Sequence, residues 1–133
     1  MEPSPLVSLR AAVRGAVRTD DASLAPFRRD QSPFEGWPGA VVAPADADDV
    51  VALVRWARRS RVPLVARGAG TSLDGESVPG DGAVVVDFSG WTGLLEVDPD
   101  ELWARVGPGI VNRELQRLLE PVSYTHLTLP TKA

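Results

Sequence analysis

A glycine-rich segment over residues 67–75 contains the residue types best suited to ligand binding in this chain of 133 residues. It reads Arg-Gly-Ala-Gly-Thr-Ser-Leu-Asp-Gly and lies between two short apolar runs, Val62–Ala66 and Ala83–Asp87. Glycine lets backbone N–H groups approach an anion closely because it has no Cβ, and it adopts positive φ at little cost. The segment therefore predicts a loop between two strands that binds a diphosphate through its backbone.

Two common phosphate-binding loops do not fit this segment. A P-loop requires a lysine directly after its second conserved glycine, and residues 67–82 contain no lysine. A Rossmann fingerprint requires a third glycine where Leu73 stands, and it must open a helix. Pro79, Gly80 and Gly82 would interrupt any helix that followed. We therefore expect loop amides, rather than the N-terminus of a helix, to hold the anion.

The sequence around the loop predicts a mixture of helices and strands. The predicted helices run from Leu6 to Arg18, from the N-cap Asp46 to the turn before Pro63, and from the N-cap Asn112 through Leu119. The predicted strands are Ala40–Ala43, Leu64–Ala66, Ala83–Asp87, Leu94–Val97 and Leu102–Val106, and the stretch Asp20–Gly39 is predicted to be irregular. Strand, helix and strand in succession indicate a βαβ unit with parallel strands, and the last two strands indicate a hairpin. The predicted class is α+β, with a first subdomain of α/β type.

The composition argues against several classes of function. A net charge of −4 and a pI near 4.9 do not suit nucleic-acid binding, which normally requires a basic surface. The chain has no cysteine, which removes disulfides and thiolate metal ligands and fits a cytoplasmic location. No apolar run approaches the roughly 18 residues of a membrane span. We therefore expect no nucleic acid, no metal and no membrane segment.

The composition changes abruptly after Pro121. All basic residues up to that point are arginines, whereas residues 122–133 contain the only tyrosine, histidine and lysine of the chain. This segment resembles the translation of a sequencing adapter, so we expect a non-native tail and assign no role to His126. The predicted organisation is a helical and irregular lead-in over residues 1–38, a truncated domain over 39–121 and the tail over 122–133.

Several landmarks occur along the chain in an order that resembles a known superfamily. They are Pro44 before a capped helix, the segment Val62–Val65, the loop Arg67–Leu73, the segment Gly82–Ser89 and the turn Gly107–Gly109. Together they resemble the flavoproteins of the vanillyl-alcohol oxidase and p-cresol methylhydroxylase superfamily. The loop is most similar to that of FAD-linked oxidases such as D-lactate dehydrogenase and the flavin subunit of glycolate oxidase.

The resemblance implies an FAD-binding domain of two subdomains, with FAD between them and this chain supplying the first. The residues that it assigns to FAD are Arg67, Gly68, Ala69, Gly70, Thr71, Ser72, Leu73 and Pro44. The loop amides would hold the diphosphate, with the hydroxyls of Thr71 and Ser72 as extra donors, and Pro44 would border the adenine. Arg67 would either offset phosphate charge or form an ion pair at the mouth of the loop. Thr71 stands where some relatives have a histidine bonded to the flavin, so FAD is expected to be non-covalent.

The function that the resemblance implies is that of an N-terminal fragment of an FAD-dependent oxidoreductase. Its substrate would be a 2-hydroxy acid of the D-lactate or glycolate type, with an external electron acceptor of unknown identity. The catalytic residues would lie in later parts of the protein, so the fragment alone is expected to be inactive. Two alternatives stay open: another branch of the same flavin fold, such as a lactone oxidase or an enolpyruvyl-sugar reductase, and a non-catalytic module that binds a nucleotide or phosphate.

Overall fold

The computed structural model describes residues 4–122, which fall into two compact units with a boundary between Phe88 and Ser89. The first unit contains α1 (Pro5–Ala12), β1 (Ala16–Arg18), α2 (Asp21–Leu24), a 3-10 turn (Ala25–Phe27), β2 (Ala40–Ala43), α3 (Ala47–Ser60), β3 (Leu64–Arg67) and β4 (Val84–Asp87). The second unit contains β5 (Leu94–Asp98), β6 (Trp103–Val106), α4 (Asn112–Leu119) and a 3-10 turn (Glu120–Val122). None of the helices within residues 4–122 has the length and apolar character needed to cross a membrane.

The first unit is built on a four-stranded sheet in the order β1-β2-β4-β3. Both β2 and β3 run parallel to β4, with Val41 and Val65 opposite Val85 on its two sides. The parallel orientation predicted for the βαβ unit is therefore confirmed, and so is the α+β class. The two strands that α3 connects are not neighbours, however, because β4 pairs between them. The fourth strand, β1, pairs antiparallel with β2 at the edge.

The helix α3 forms as its sequence predicts. Asp46 is the N-cap, and its carboxylate accepts a hydrogen bond from Asp49 N at 2.9 Å. The helix ends at Arg61, which has the left-handed conformation of a C-cap, with φ 56°. Leu53 and Trp56 are fully buried in the main core, which also contains the inward-facing strand residue Val84. Burial of this apolar face fixes α3 on one side of the sheet.

The N-terminal helix is shorter than predicted. A helix was expected to continue to Arg18, but α1 ends at Ala12 and residues 16–18 form the strand β1. The buried carboxylate of Asp49 accepts hydrogen bonds from the backbone of Arg14 and Gly15, each at 2.8 Å, which turns the chain toward the sheet. A Cβ at Gly15 would overlap the carbonyl of Ala43. These contacts join residues far apart in the chain, so helical periodicity could not anticipate them.

The stretch predicted to be irregular contains one short ordered region. Asp20 caps α2 by accepting from Ser23 N at 3.0 Å, and the 3-10 turn follows directly. Leu24 and Phe27 pack with Val41 and Val85, on the sheet face opposite the main core. The rest of residues 28–39 has no helix or strand, as predicted. The sheet is therefore covered on both faces.

The second unit confirms the predicted hairpin. Strands β5 and β6 pair antiparallel, with Val97 opposite Ala104. The prediction that Asn112 caps the last helix is wrong, because Val111 occupies the N-cap position in extended geometry and makes no side-chain cap. The side chain of Asn112 instead accepts a hydrogen bond from Gln116 Nε2 at 3.5 Å, within the helix. Residues 123–133 of the predicted tail lie outside the described residues.

Candidate cofactor-binding loop

The glycine-rich loop begins at the carboxyl end of β3. Gly68 follows β3, Phe88 follows β4 and Pro44 follows β2, so all three lie at the same edge of the parallel sheet. Because β4 separates the other two strands, Gly68 and Pro44 lie about 10 Å apart, which is two strand spacings. Ligands of open parallel sheets bind at this edge. The topology thus brings the predicted loop and the predicted adenine neighbour to the same edge.

The backbone N–H groups of residues 68–73 are not used within the fold. None of them donates a hydrogen bond to any acceptor among residues 4–122. The flanking backbone is paired normally, since Phe88 N donates to the carbonyl of Arg67 at 2.9 Å. Backbone N–H groups require a partner, so these donors are available to a ligand or to water as far as residues 4–122 are concerned. A run of free donors fits a group with several anionic oxygens.

The apex of the loop has the backbone geometry that glycine provides. Gly70 is buried and has φ 71°, a conformation that residues with a side chain rarely adopt. Thr71 is exposed beside it, and its hydroxyl has no partner among residues 4–122. The hydroxyl of Ser72 is 3.1 Å from that of Ser77, which is buried, so Ser72 is tied to the end of the loop. Leu73 is 73% exposed and presents an apolar side chain beside the free donors.

The side chain of Arg67 turns away from acidic groups and toward the N-terminal part of the chain. Its Nη1 donates to the carbonyl of Arg29 at 2.9 Å, and its Nη2 donates to that of Pro26 at 3.2 Å. The guanidinium also lies over the ring of Phe27, with its carbon 5.2 Å from the ring centroid. No carboxylate among residues 4–122 pairs with Arg67. The ion pair that the sequence suggested as one alternative is therefore absent from this part of the chain.

Residues 26–36, hereafter the 26–36 segment, support the loop in a way that sequence reasoning missed. Gln31 N donates to the carbonyl of Ser72 at 3.0 Å, and Ser77 N donates to the carboxylate of Asp30 at 3.4 Å. A hydrogen bond from the Ser32 side chain and weaker ones from the Ser32 and Ser77 backbone lower the pKa of Asp30 despite its partial burial. The two prolines and one glycine of this segment, with no periodicity, predicted irregular structure but gave no sign of what it packs against.

Pro44, the remaining predicted site residue, is buried immediately after β2. The next residue donates from its backbone, Ala45 N, to the Asp49 carboxylate at 2.8 Å, which fixes the turn into α3. Ala43 on its other side lines a cavity of about 50 Å³, together with Arg18 and Asp87. Such a cavity is large enough to hold ordered water. Among residues 4–122 there is no cluster of acidic or histidine side chains that could hold a metal.

Comparison with known proteins identifies the family. The family model described as "FAD binding domain" matches residues 38–129, which is most of the chain. The match begins one residue before the predicted start of the domain. It continues beyond residue 122, so it includes part of the segment that the sequence predicts to be a tail.

Two curated relatives are similar over nearly the whole chain. The glycolate oxidase subunit GlcD of Bacillus subtilis is 32% identical over 111 residues, covering 81% of this chain and 24% of the relative. The D-2-hydroxyglutarate dehydrogenase of Stutzerimonas stutzeri is 35% identical over 121 residues, covering 90% of this chain and 26% of the relative. The chain thus spans about a quarter of the length of these relatives.

Solved structures agree with the fold. The crystal structure of p-cresol methylhydroxylase with substrate bound superimposes with a TM-score of 0.76 at 20% identity, covering 90% of this chain and 24% of that one. The 4-ethylphenol oxidase from Gulosibacter chungangensis has the same TM-score at 24% identity, with the same coverage. The solved structures therefore agree with the fold, while the family model shows that the chain belongs to the FAD binding domain family, and its cofactor is FAD.

Proposed function

We propose that this chain is the first part of an FAD-dependent oxidoreductase that oxidises a 2-hydroxy acid, and that residues 67–73 bind the FAD diphosphate. The observation that carries the site is the run of N–H groups from Gly68 to Leu73, at the carboxyl edge of the sheet, that have no acceptor among residues 4–122. The substrate class rests on the names of the relatives, a glycolate oxidase subunit and D-2-hydroxyglutarate dehydrogenases. Both names describe oxidation of a carbon that carries a hydroxyl beside a carboxylate.

The loop would hold the diphosphate mainly through its backbone. Each N–H that donates to a charged phosphate oxygen contributes on the order of 1.5–3 kcal/mol, so several of them together dominate cofactor affinity. Thr71 is exposed, and its hydroxyl adds a side-chain donor to the backbone donors of the loop. Pro44 borders the adenine side of the same edge, and Thr71, with no histidine in its place, leaves FAD non-covalent.

The chemistry of the reaction would come from the cofactor rather than from this chain. Bound FAD would supply the redox chemistry, as the acceptor of a hydride equivalent from the substrate carbon. The described residues contribute binding and placement: Gly70 allows the backbone to approach the diphosphate, and residues 26–36 hold the loop in shape. The groups that bind the substrate and remove its hydroxyl proton belong to later parts of the protein, and the electron acceptor is external to it.

The test requires the protein expressed from the complete gene. The purified protein should show a flavin spectrum, either as isolated or after addition of FAD, and acid precipitation should release that flavin into solution. Under anaerobic conditions, D-lactate, glycolate or D-2-hydroxyglutarate should bleach the flavin, whereas 3-hydroxybutyrate serves as a matched control with the hydroxyl one carbon further away. A protein that takes up no FAD would contradict the proposed site. It would favour the alternative of a non-catalytic module.

The other outcomes separate the remaining alternatives. A flavin that is reduced by a sugar lactone, or by a reduced nicotinamide cofactor, and by no 2-hydroxy acid would place the protein in another branch of the fold. Genomic sequence beyond codon 121 tests whether residues 122–133 are non-native, and it should continue into a second flavin-binding segment. The cytoplasmic location is likewise a proposal, which fractionation of the source cells tests.

A further inference from the structure

We propose that Arg67 is a positioning residue that holds the diphosphate loop in its binding geometry by joining it to the 26–36 segment. This inference rests on the proposed function, because it assumes that the loop binds FAD. It assigns Arg67 a role different from direct neutralisation of phosphate charge. The carbonyls of the 26–36 segment, and not the ligand, are the partners of its guanidinium.

The first observation is where the donors of Arg67 are directed. The two terminal nitrogens donate to carbonyls that are three residues apart in the N-terminal part of the chain. Nη1 donates to the carbonyl of Arg29 and Nη2 to that of Pro26. The planar guanidinium carries its donors in a fixed fork, so two carbonyls bonded at once determine the orientation of the whole group. The ring of Phe27 beneath the guanidinium limits its position further. These contacts fix the charged end of a side chain that is otherwise flexible.

The second observation is the contact between this fixed group and the loop apex. A Cβ placed on Gly70 would overlap the guanidinium of Arg67, so the backbone of the apex lies directly against it. Such an overlap costs little when the side chain is free to move aside. Here the side chain is held by two carbonyls, so the guanidinium acts as a rigid support under the apex. Displacing it would allow the free N–H groups on either side of Gly70 to change direction.

The third observation is that the same segment holds the other end of the loop. Gln31 N donates to the carbonyl of Ser72, and Asp30 accepts from the backbone of Ser77. Residues 26–31 therefore contact the loop before and after its apex. The N–H groups between these attachments have no acceptor among residues 4–122, so the attachments hold the backbone that carries them. Preorganised donors bind more tightly than mobile ones because the loop does not lose conformational entropy on binding.

The experiment compares three variants of the protein expressed from the complete gene. Arg67→Ala removes the support, Arg67→Lys keeps the charge without the fork, and Arg10→Ala is the matched control. Arg10 also donates to a backbone carbonyl, Val17 O at 2.9 Å, and to the hydroxyl of Thr19, but it lies in α1. The readouts are the Kd of the apoprotein for FAD, measured by flavin fluorescence at several salt concentrations, and the thermal unfolding of the apoprotein.

We expect both Arg67 variants to raise the Kd for FAD by about tenfold, to a similar extent, because a lysine cannot bind two carbonyls in one plane. The salt dependence of the Kd in Arg67→Lys should match that of the unmodified protein, since both carry a positive charge beside the loop. Arg10→Ala should lower the unfolding temperature and leave the Kd unchanged. Recovery of wild-type affinity by Arg67→Lys would overturn the proposal in favour of a direct phosphate contact.

The remaining outcomes are also decisive. Unchanged affinity in Arg67→Ala would show that the loop keeps its shape without the support. Unfolding of both Arg67 variants as apoproteins would show that the arginine maintains the fold rather than the loop, which also overturns the proposal. Failure of the unmodified protein to bind FAD would instead reject the proposed function, so the two failures are distinguishable.

Discussion

The parallel sheet and the glycine-rich loop adjoin in the chain but are held in place by different kinds of contact. Val84 and Val85 at the centre of the sheet are completely buried, and helices or turns cover both faces. The loop makes its contacts through polar groups of the 26–36 segment, and it leaves Leu73 largely exposed. Burial of apolar side chains stabilises the sheet, whereas hydrogen bonds determine the shape of the loop. We therefore expect the stability of the protein and its affinity for FAD to respond to different substitutions.

The largest effect on stability is expected from the core beneath the sheet. Leu53→Ala removes a fully buried side chain and should lower the free energy of unfolding by about 3 kcal/mol, through lost burial and a cavity. Urea unfolding of the apoprotein measures this change. The neighbouring Val54→Ala is the control, since Val54 is 51% exposed and should cost far less. An affinity for FAD that falls in the folded Leu53→Ala protein would contradict the separation of core and loop.

The next largest effect is expected from the loop apex. Gly70→Asp should raise the Kd for FAD by about 100-fold, equivalent to about 2.7 kcal/mol, because the side chain meets Arg67 and its charge repels the diphosphate. Gly70 also has φ 71°, which disfavours any side chain. The control is Gly80→Asp in the same connection, where a Cβ would meet nothing within 4 Å. Titration of the apoproteins with FAD measures the Kd of each variant. Equal Kd values for Gly70→Asp and the unmodified protein would show that the diphosphate binds elsewhere.

A smaller effect, confined to stability, is expected from the buried Asp49. Desolvation raises the pKa of its carboxyl, but hydrogen bonds from the backbone of Ala45, Arg14 and Gly15 outweigh it, so the pKa is lowered. Asp49→Asn has one acceptor oxygen for these donors and should cost about 2 kcal/mol at neutral pH.

The pH dependence of stability provides the check on Asp49. A carboxyl whose pKa is lower in the folded state contributes stability above its unfolded pKa, and this contribution is lost as the pH falls through the folded pKa. The difference in stability between the unmodified protein and Asp49→Asn should therefore narrow toward acidic pH. Asp48→Asn, at an exposed position of the same helix, is the control. A difference that stays constant with pH would show that Asp49 acts through its shape alone.

The sequence was sufficient where local chemistry determines the structure. Asp46 caps the start of α3, Pro63 follows soon after its end, and the apolar run before Asp87 forms the predicted strand, which is buried. The glycines at 68 and 70 predicted a loop that offers backbone donors. The surrounding landmarks were sufficient to show the resemblance to FAD-binding proteins. These features depend on residues that are neighbours in the chain, so they can be predicted from a single sequence.

Features that depend on distant partners could not be predicted in this way. The end of α1 depends on a carboxylate at Asp49, the position of β4 between β2 and β3 depends on pairing across the whole sheet, and Arg67 finds its acceptors at Pro26 and Arg29. In each case several partners were chemically acceptable, and only the assembled fold selects one. The ion pair that was one of the two alternatives for Arg67 is absent among residues 4–122, and carbonyl oxygens, its actual acceptors, carry no signature in the sequence.

The order of the strands has a consequence for how the protein emerges from the ribosome. One of the two inner strands of the sheet is the last of the four to be synthesised, since β4 follows β1, β2 and β3 in the chain. Until residues 84–87 are available, β2 and β3 have no parallel partner, and only the antiparallel pair of β1 and β2 can form. Apolar strand surface therefore stays uncovered during this interval, which is when a nascent chain is most exposed to aggregation and to chaperones.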